Sequence, residues 1–206
     1  KQPMKEAFMP LEFDPGEAAQ VDWGEATIYL KGQKTKVQLF CYRLCHSADI
    51  FVKAFFRQNQ ESFLEGHVAA FTHGNGVPKK IIFDNARVAV KEGFGLYAKP
   101  QDAYQALSAH YAFEMHFTNI NSGNEKGLVE NLVGWVRRNI LVPVPRVDSI
   151  EELNETLISA CLQYRNHQIQ GRSQTVGQQF ETEKHSLTPL PKFIFDTSKS
   201  TTVRVN

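Results

Sequence analysis

The chain has 206 residues, 23 Lys and Arg against 22 Asp and Glu, a net charge of +1, and 42% hydrophobic residues. That is ordinary globular material for one large domain, or one domain with a small appendage, and it excludes disorder, collagen and low complexity. The balanced charge excludes coating of DNA by bulk charge but leaves room for a local basic surface.

No apolar run approaches the roughly 18 residues of a membrane helix, and the N-terminus, KQPMKEAF, lacks the apolar core of a signal peptide. It also lacks an initiator methionine, so a fragment of a longer chain is expected. Cys41, Cys45 and Cys161 are sparse and odd in number, which argues against a disulfide framework and for a reducing compartment.

Residues 1–18 carry Pro3, Pro10 and Pro15 and read as an extended arm. Residues 19–25, AQVDWGE, alternate, with Val21 and Trp23 on one side and Gln20, Asp22 and Gly24 on the other. The strand continues over 26–30, and Lys31 with Gly32 signals a turn. Strands at 36–45 and 50–56 complete an antiparallel meander.

The period then changes. Residues 61–73 read as a helix with Phe63, Leu64, His67, Val68 and Phe71 at helical spacing and Gly74 as its stop. Residues 79–83 form a short strand ending at Asp84, and 85–100 a loop. A helix follows at 102–111, a strand at 114–117, a polar connector at 119–124, and a strong helix at 126–140 that VPVP at 142–145 stops. Ser149 and Glu152 make a capping box for a helix with the apolar stripe Leu153, Leu157, Cys161 and Tyr164. Beyond His167 the chain is polar, Pro189 and Pro191 mark a boundary, and 193–206 reads as strand-like. The order predicts an α/β domain with a mixed sheet flanked by helices.

Three carboxylates stand out. Asp22 lies inside a strand, where a charge is costly without a partner. Asp84 ends a buried-type strand, the place where open α/β sheets put ligands. Glu130 lies in the strong helix. With Glu130 at zero and 100° per residue, Leu128, Leu132, Trp135 and Val136 fall at about 160°, 200°, 140° and 240°. The apolar stripe is thus expected nearly opposite Glu130. Lys126, Gly127, Gly134 and Arg137 flank it. Such bases suit phosphates, and the glycines suit close approach of a polymer.

Each acid also has a plainer reading: a solvated helix face for Glu130, a turn for Asp84, a paired strand charge for Asp22. Together, three hard-oxygen donors suit two Mg²⁺ or Mn²⁺ ions about 3.5–4 Å apart, the arrangement for in-line phosphoryl displacement.

QVDWGE at 20–25, FDNARVAV at 83–90 and NEKGLVEN at 124–131 resemble the catalytic core of DDE transposases with a ribonuclease-H-like fold. The likeness is strongest to the IstA type of insertion-sequence transposase, and retroviral integrases are more distant relatives. It runs from about residue 15 to about residue 195, with NHQIQGR at 166–172, TVGQQFETE at 175–183 and LTPLP at 187–191 similar to the end of that core. The resemblance implies Asp22, Asp84 and Glu130 as catalytic, metal-holding acids. The 45 residues between Asp84 and Glu130 exceed the integrase spacing.

The resemblance also implies two Mg²⁺ ions, with Mn²⁺ able to substitute. It implies cleavage at the transposon end to free a 3′-OH, then transesterification into target DNA. Its partners are transposon-end and target DNA, an AAA+ ATPase helper, and further copies of the chain as a dimer or higher oligomer on DNA. No phosphate-binding G-x-x-x-x-G-K-[ST] loop is present, so ATP use falls to the helper. Lys126, Arg137, Arg138 and Arg87 are the expected phosphate contacts.

The expected organisation is an arm at 1–18, the core at 19–188, and at 189–206 a linker with the start of a C-terminal β-barrel. A bacterial cytoplasmic, nucleoid-associated location is expected, with no membrane. The alternatives are a nuclease of the same fold, which cleaves without joining, and a non-catalytic DNA-binding or assembly domain. A glycosidase would use two carboxylates and no metal. A zinc site at Cys41, Cys45 and His46 lacks a C-x-x-C pair. His116 lies before the Glu130 helix, either within reach of the site or packed in the core.

Overall fold

The structure, a computed structural model, describes residues 12–84, 90–92, 99–118 and 127–198; at 84, 90–92, 99, 100, 118 and 127–131 it describes the backbone only. Its centre is a long hairpin. β1 (Ala18–Leu30) and β2 (Gln33–Leu44) pair antiparallel along their whole length. The two-residue loop between them has Lys31 at φ 49° and Gly32 at φ 80°. Two positive φ angles make the tight turn whose twist matches that of the strands. β3 (Ile50–Phe55) pairs with β2 and completes the expected meander.

The other half of the sheet is parallel. β4 (Lys80–Asp84) lies beside β1, and β7 (Glu114–Thr118) beside β4. The path is β3-β2-β1-β4-β7, with the two-residue β8 (Arg146–Val147) joining the far end of β1. Residues expected as loop at 85–100 include a small separate hairpin, β5 (Val90–Glu92) with β6 (Lys99–Pro100). Strands this short carry too few alternating positions to register as a period.

Alternation sorts side chains to two cores. Ala19, Val21, Phe40, Tyr42, Phe51, Ile81 and Phe83 face α1 (Gln60–Gly74) and α2 (Asp102–Tyr111), which contribute Phe63, Phe71, Tyr104 and Leu107. Ala26, Ile28, Val37, Leu39, Cys41 and Val52 face α3 (Gly127–Asn139) and α4 (Ile150–Tyr164). The result is helix, sheet, helix.

Local signals explain most boundaries, with some corrections. The α1 stop is Asn75 at φ 50°, with Gly74 still helical; Asn tolerates the left-handed cap that Gly usually fills. Ser149 accepts from the Glu152 N–H at 3.1 Å, while Glu152 reaches back to the Asp148 N–H at 2.8 Å, one residue earlier than a strict capping box. The α4 stripe Leu153, Leu157, Cys161 and Tyr164 is buried as expected.

The polar stretch beyond His167 holds a helix that periodicity did not reveal, α5 (Val176–Glu183), opened by a complete capping box of Thr175 and Gln178. Its Glu183 is fully buried and accepts from the backbone N–H groups of Gly16 and Ser47 at 3.0 and 2.9 Å. The described part of the strand-like tail, 193–198, contains no strand. No helix among the described residues is long and apolar enough to cross a membrane.

Candidate active site

β1 changes neighbours at Asp22. Its parallel pairing with β4 ends at Val21 opposite Phe83, so Asp84 follows one step beyond the last pair, level with Asp22. Adjacent strands lie about 4.8 Å apart, so the two aspartates occupy neighbouring positions where the strands part. Hydrophobic alternation fixes this register. Val21 and Phe83 are buried in the α1–α2 core, and a slip of one residue would turn both strands inside out.

Asp22 is half-buried, and its Oδ1 accepts the Trp23 N–H at 2.7 Å. Trp23 anchors the opposite face, edge-on to Phe40 at 5.5 Å. Asp22 pairs across the hairpin with Cys41, which is fully buried. Burial, and then the charge of Asp22, pushes the Cys41 thiol far above its usual range.

α3 supplies the third position. A Cβ on Gly24 would lie 2.4 Å from Val133 Cγ1, so the missing side chain lets the helix rest on β1. Further along, Arg137 Nε donates to the Glu25 carbonyl at 2.8 Å. The helix therefore runs from the Asp22 end of β1 toward its far end. Glu130 precedes Val133 by three residues, about 4.5 Å of rise, on the Asp22 side of that contact.

The buried side chains Leu132, Val133 and Val136 correct the expected stripe. It extends through Val133, which lies outside the expected stripe. The side chains of Asp84 and Glu130 lie outside the described residues, as do Lys126 and Arg87 entirely. Among the described residues no three His, Cys, Asp or Glu side chains cluster as a metal site.

The remaining expectations fall as follows. Arg137 and Arg138 are both exposed on α3, Arg137 with its Nε tied to β1. His116 is level with Ile82, two residues before Asp84, and its side chain is 51% exposed beside Glu114, so it does not pack in the core. Cys45 lies past the end of β2, His46 is bonded through Nδ1 to the Phe13 carbonyl, and all three thiols are free and buried. Burial pushes the Cys45 and Cys161 thiols up to about 12.

Strand order, the parting of β1 and β4, and the flanking helices define a ribonuclease-H-like core of the integrase kind. Solved structures agree. A simian T-cell lymphotropic virus intasome in complex with the PP2A regulatory subunit B56 gamma matches 98% of this chain and 66% of its own, with TM-score 0.61 and 17% identity. The HTLV-2 integrase catalytic core in complex with magnesium matches 81% of this chain and 97% of its own, with TM-score 0.58 and 16% identity.

Sequence comparison narrows the class. A transposase for insertion sequences IS1326/IS1353 from Pseudomonas aeruginosa is 33% identical over 98% of the chain and 40% of its own length. A transposase from Aminobacter aminovorans is 38% identical over 76% of the chain and 31% of its own length. The IS21 transposase of Pseudomonas aeruginosa is 29% identical over 91% of the chain and 48% of its own length. No family model matches. The chain's homologues are thus transposases of the IS21/IS1326 insertion-sequence family, and the chain spans less than half the length of these relatives.

Proposed function

We propose that the chain is the DDE catalytic core of a transposase that cleaves insertion-sequence ends to free a 3′-OH and joins them to target DNA. The observation that supports this most is the register that sets Asp22 level with Asp84 where β1 and β4 part, with α3 passing over Gly24 beside them. Asp22, Asp84 and Glu130 are its acids.

The donor set fits a hard divalent ion, because three carboxylates offer only oxygen ligands. Two Mg²⁺ ions held there would neutralise the crowded acids and polarise the phosphoryl oxygens during in-line displacement. The magnesium in the HTLV-2 core supports that class of ion.

The chain's own part is to hold and place. β1 and β4 fix two acids on adjacent interior strands of the sheet, and α3 brings the third. Arg137 and Arg138, with Lys126 and Arg87, hold the phosphates on either side of the reacting one. The intasome likeness supports work on DNA in an oligomer. An AAA+ helper is the expected source of ATP use.

The test is an assay of end cleavage and joining to a plasmid, using duplexes with the ends of the parent insertion sequence. Both products are expected with Mg²⁺ and neither with EDTA. Loss of second-layer ligand supports costs about 10–100-fold, so Asp22→Asn, Asp84→Asn and Glu130→Gln should each cost at least about a hundredfold. Cleavage without joining would replace this reading with a nuclease. Activity unchanged by EDTA would remove the metal from it.

A further inference from the structure

The hairpin outruns the rest of the sheet: β4 covers only residues 18–21 of a strand that runs to Leu30. One face of the overhang, with Ala26, Ile28, Val37 and Leu39, is buried against the α3–α4 core. The other face carries Glu25, Thr27 and Tyr29 opposite Gln38, Lys36 and Lys34. β8 adds Arg146 level with Tyr29. All seven side chains are exposed or half-exposed.

Lys34, Tyr29 and Arg146 thus form one row across three strands, with Lys36 in the next. The Arg146 guanidinium lies 4.3 Å over the centre of the Tyr29 ring. A guanidinium held over an aromatic ring is suited to a bidentate phosphate contact. Among the described residues Lys34 and Arg146 have no carboxylate partner. Glu25 is the acid on this face, shared with Lys36 at 2.8 Å.

The row lies on the face of β1 that carries Trp23, opposite the face that carries Asp22. Seven residues of strand separate Asp22 from Tyr29, about 23 Å at 3.3 Å per residue.

From this we propose that the open face of the β1–β2 overhang, through Lys34, Lys36 and Tyr29-stacked Arg146, binds the phosphate backbone of duplex DNA on the side of the sheet away from the acids. The proposal rests on the catalytic reading above and gives the chain a second surface for duplex DNA. The near-neutral total charge conceals it, because acids elsewhere cancel it in the sum.

The test measures duplex affinity by fluorescence anisotropy from 50 to 200 mM salt, for the parent chain and the variant Lys34→Gln/Lys36→Gln/Arg146→Gln. A control, Arg57→Gln/Lys79→Gln/Lys192→Gln, removes the same charge from exposed positions elsewhere. Each lost phosphate contact lowers the slope of log K against log salt by about 0.9, so the hairpin variant should lose about 2.7 and the control none. Unchanged circular dichroism melting confirms that the variant folds.

A parental slope in the hairpin variant, an equal loss in the control, or no duplex binding by the parent would each overturn the proposal. Cleavage that still depends on Asp22 alongside a parental slope sinks the surface and spares the catalytic reading. A reduced slope without Asp22-dependent cleavage does the reverse.

Discussion

Gly24 is the residue on which the seating of α3 against β1 depends. Any side chain there meets Val133 at 2.4 Å, well inside contact distance. Gly24→Ala should therefore push α3 off β1 and cost about 1–3 kcal/mol, the usual range for overpacking. Val133→Ala in the same chain should recover part of that loss, since it removes the clashing methyls. Thermal or urea unfolding of the two single variants and the double variant reads the coupling directly.

His67 offers a second test at this scale. It is fully buried among Phe63, Phe71, Tyr104 and Phe113, and burial drops its pKa from 6.5 to about 4. The folded chain holds it neutral while the unfolded chain protonates it near 6.5. Stability is therefore complete above pH 6.5, falls as the pH drops toward 4, and levels off below. Between pH 7 and pH 5 this group should cost about 2 kcal/mol. His73, also lowered by burial, acts in the same direction. Urea unfolding at the two pH values should show the loss, and His67→Phe should remove most of it.

Among elements, β3 shows how an edge strand is closed. Asn154 of α4 accepts the Ala54 N–H at 2.7 Å and donates to the Ala54 carbonyl at 3.1 Å, so one side chain stands in for a strand neighbour. Asn154→Ala leaves both groups partly buried without that partner. It should cost about 1–3 kcal/mol in equilibrium unfolding, whereas substitution of exposed Glu155 on the same helix should cost little.

Legibility in the sequence followed element length. The long hairpin, α2 and the α4 stripe were readable because period and turn chemistry agree over many residues. α5 was not, since only Val176 and Phe180 of its eight residues are buried apolar side chains; the Thr175–Gln178 capping pair was the available signal. The burial of Val133 was missed for a different reason. An angular plot of one helix carries no information about a glycine on the strand beneath it.

At the scale of the molecule, the candidate site is a product of topology. Asp22 and Asp84 are 62 positions apart in sequence and become neighbours because β1 accepts β2 on one edge and β4 on the other. The three acids and the motifs around them stand out in the chain itself. Their distance does not, because it depends on where the parallel pairing stops. Nor does the basic overhang, whose row of Lys34, Tyr29 and Arg146 draws on three strands separated by more than a hundred residues.

The most direct test of the central claim is a Mn²⁺ titration followed by electron paramagnetic resonance, on the parent chain, Asp22→Asn and Asp84→Asn. A metal shared between the strand-level aspartates predicts saturable binding by the parent that each substitution weakens at least about tenfold. Equal binding by all three, or none by the parent, would contradict it.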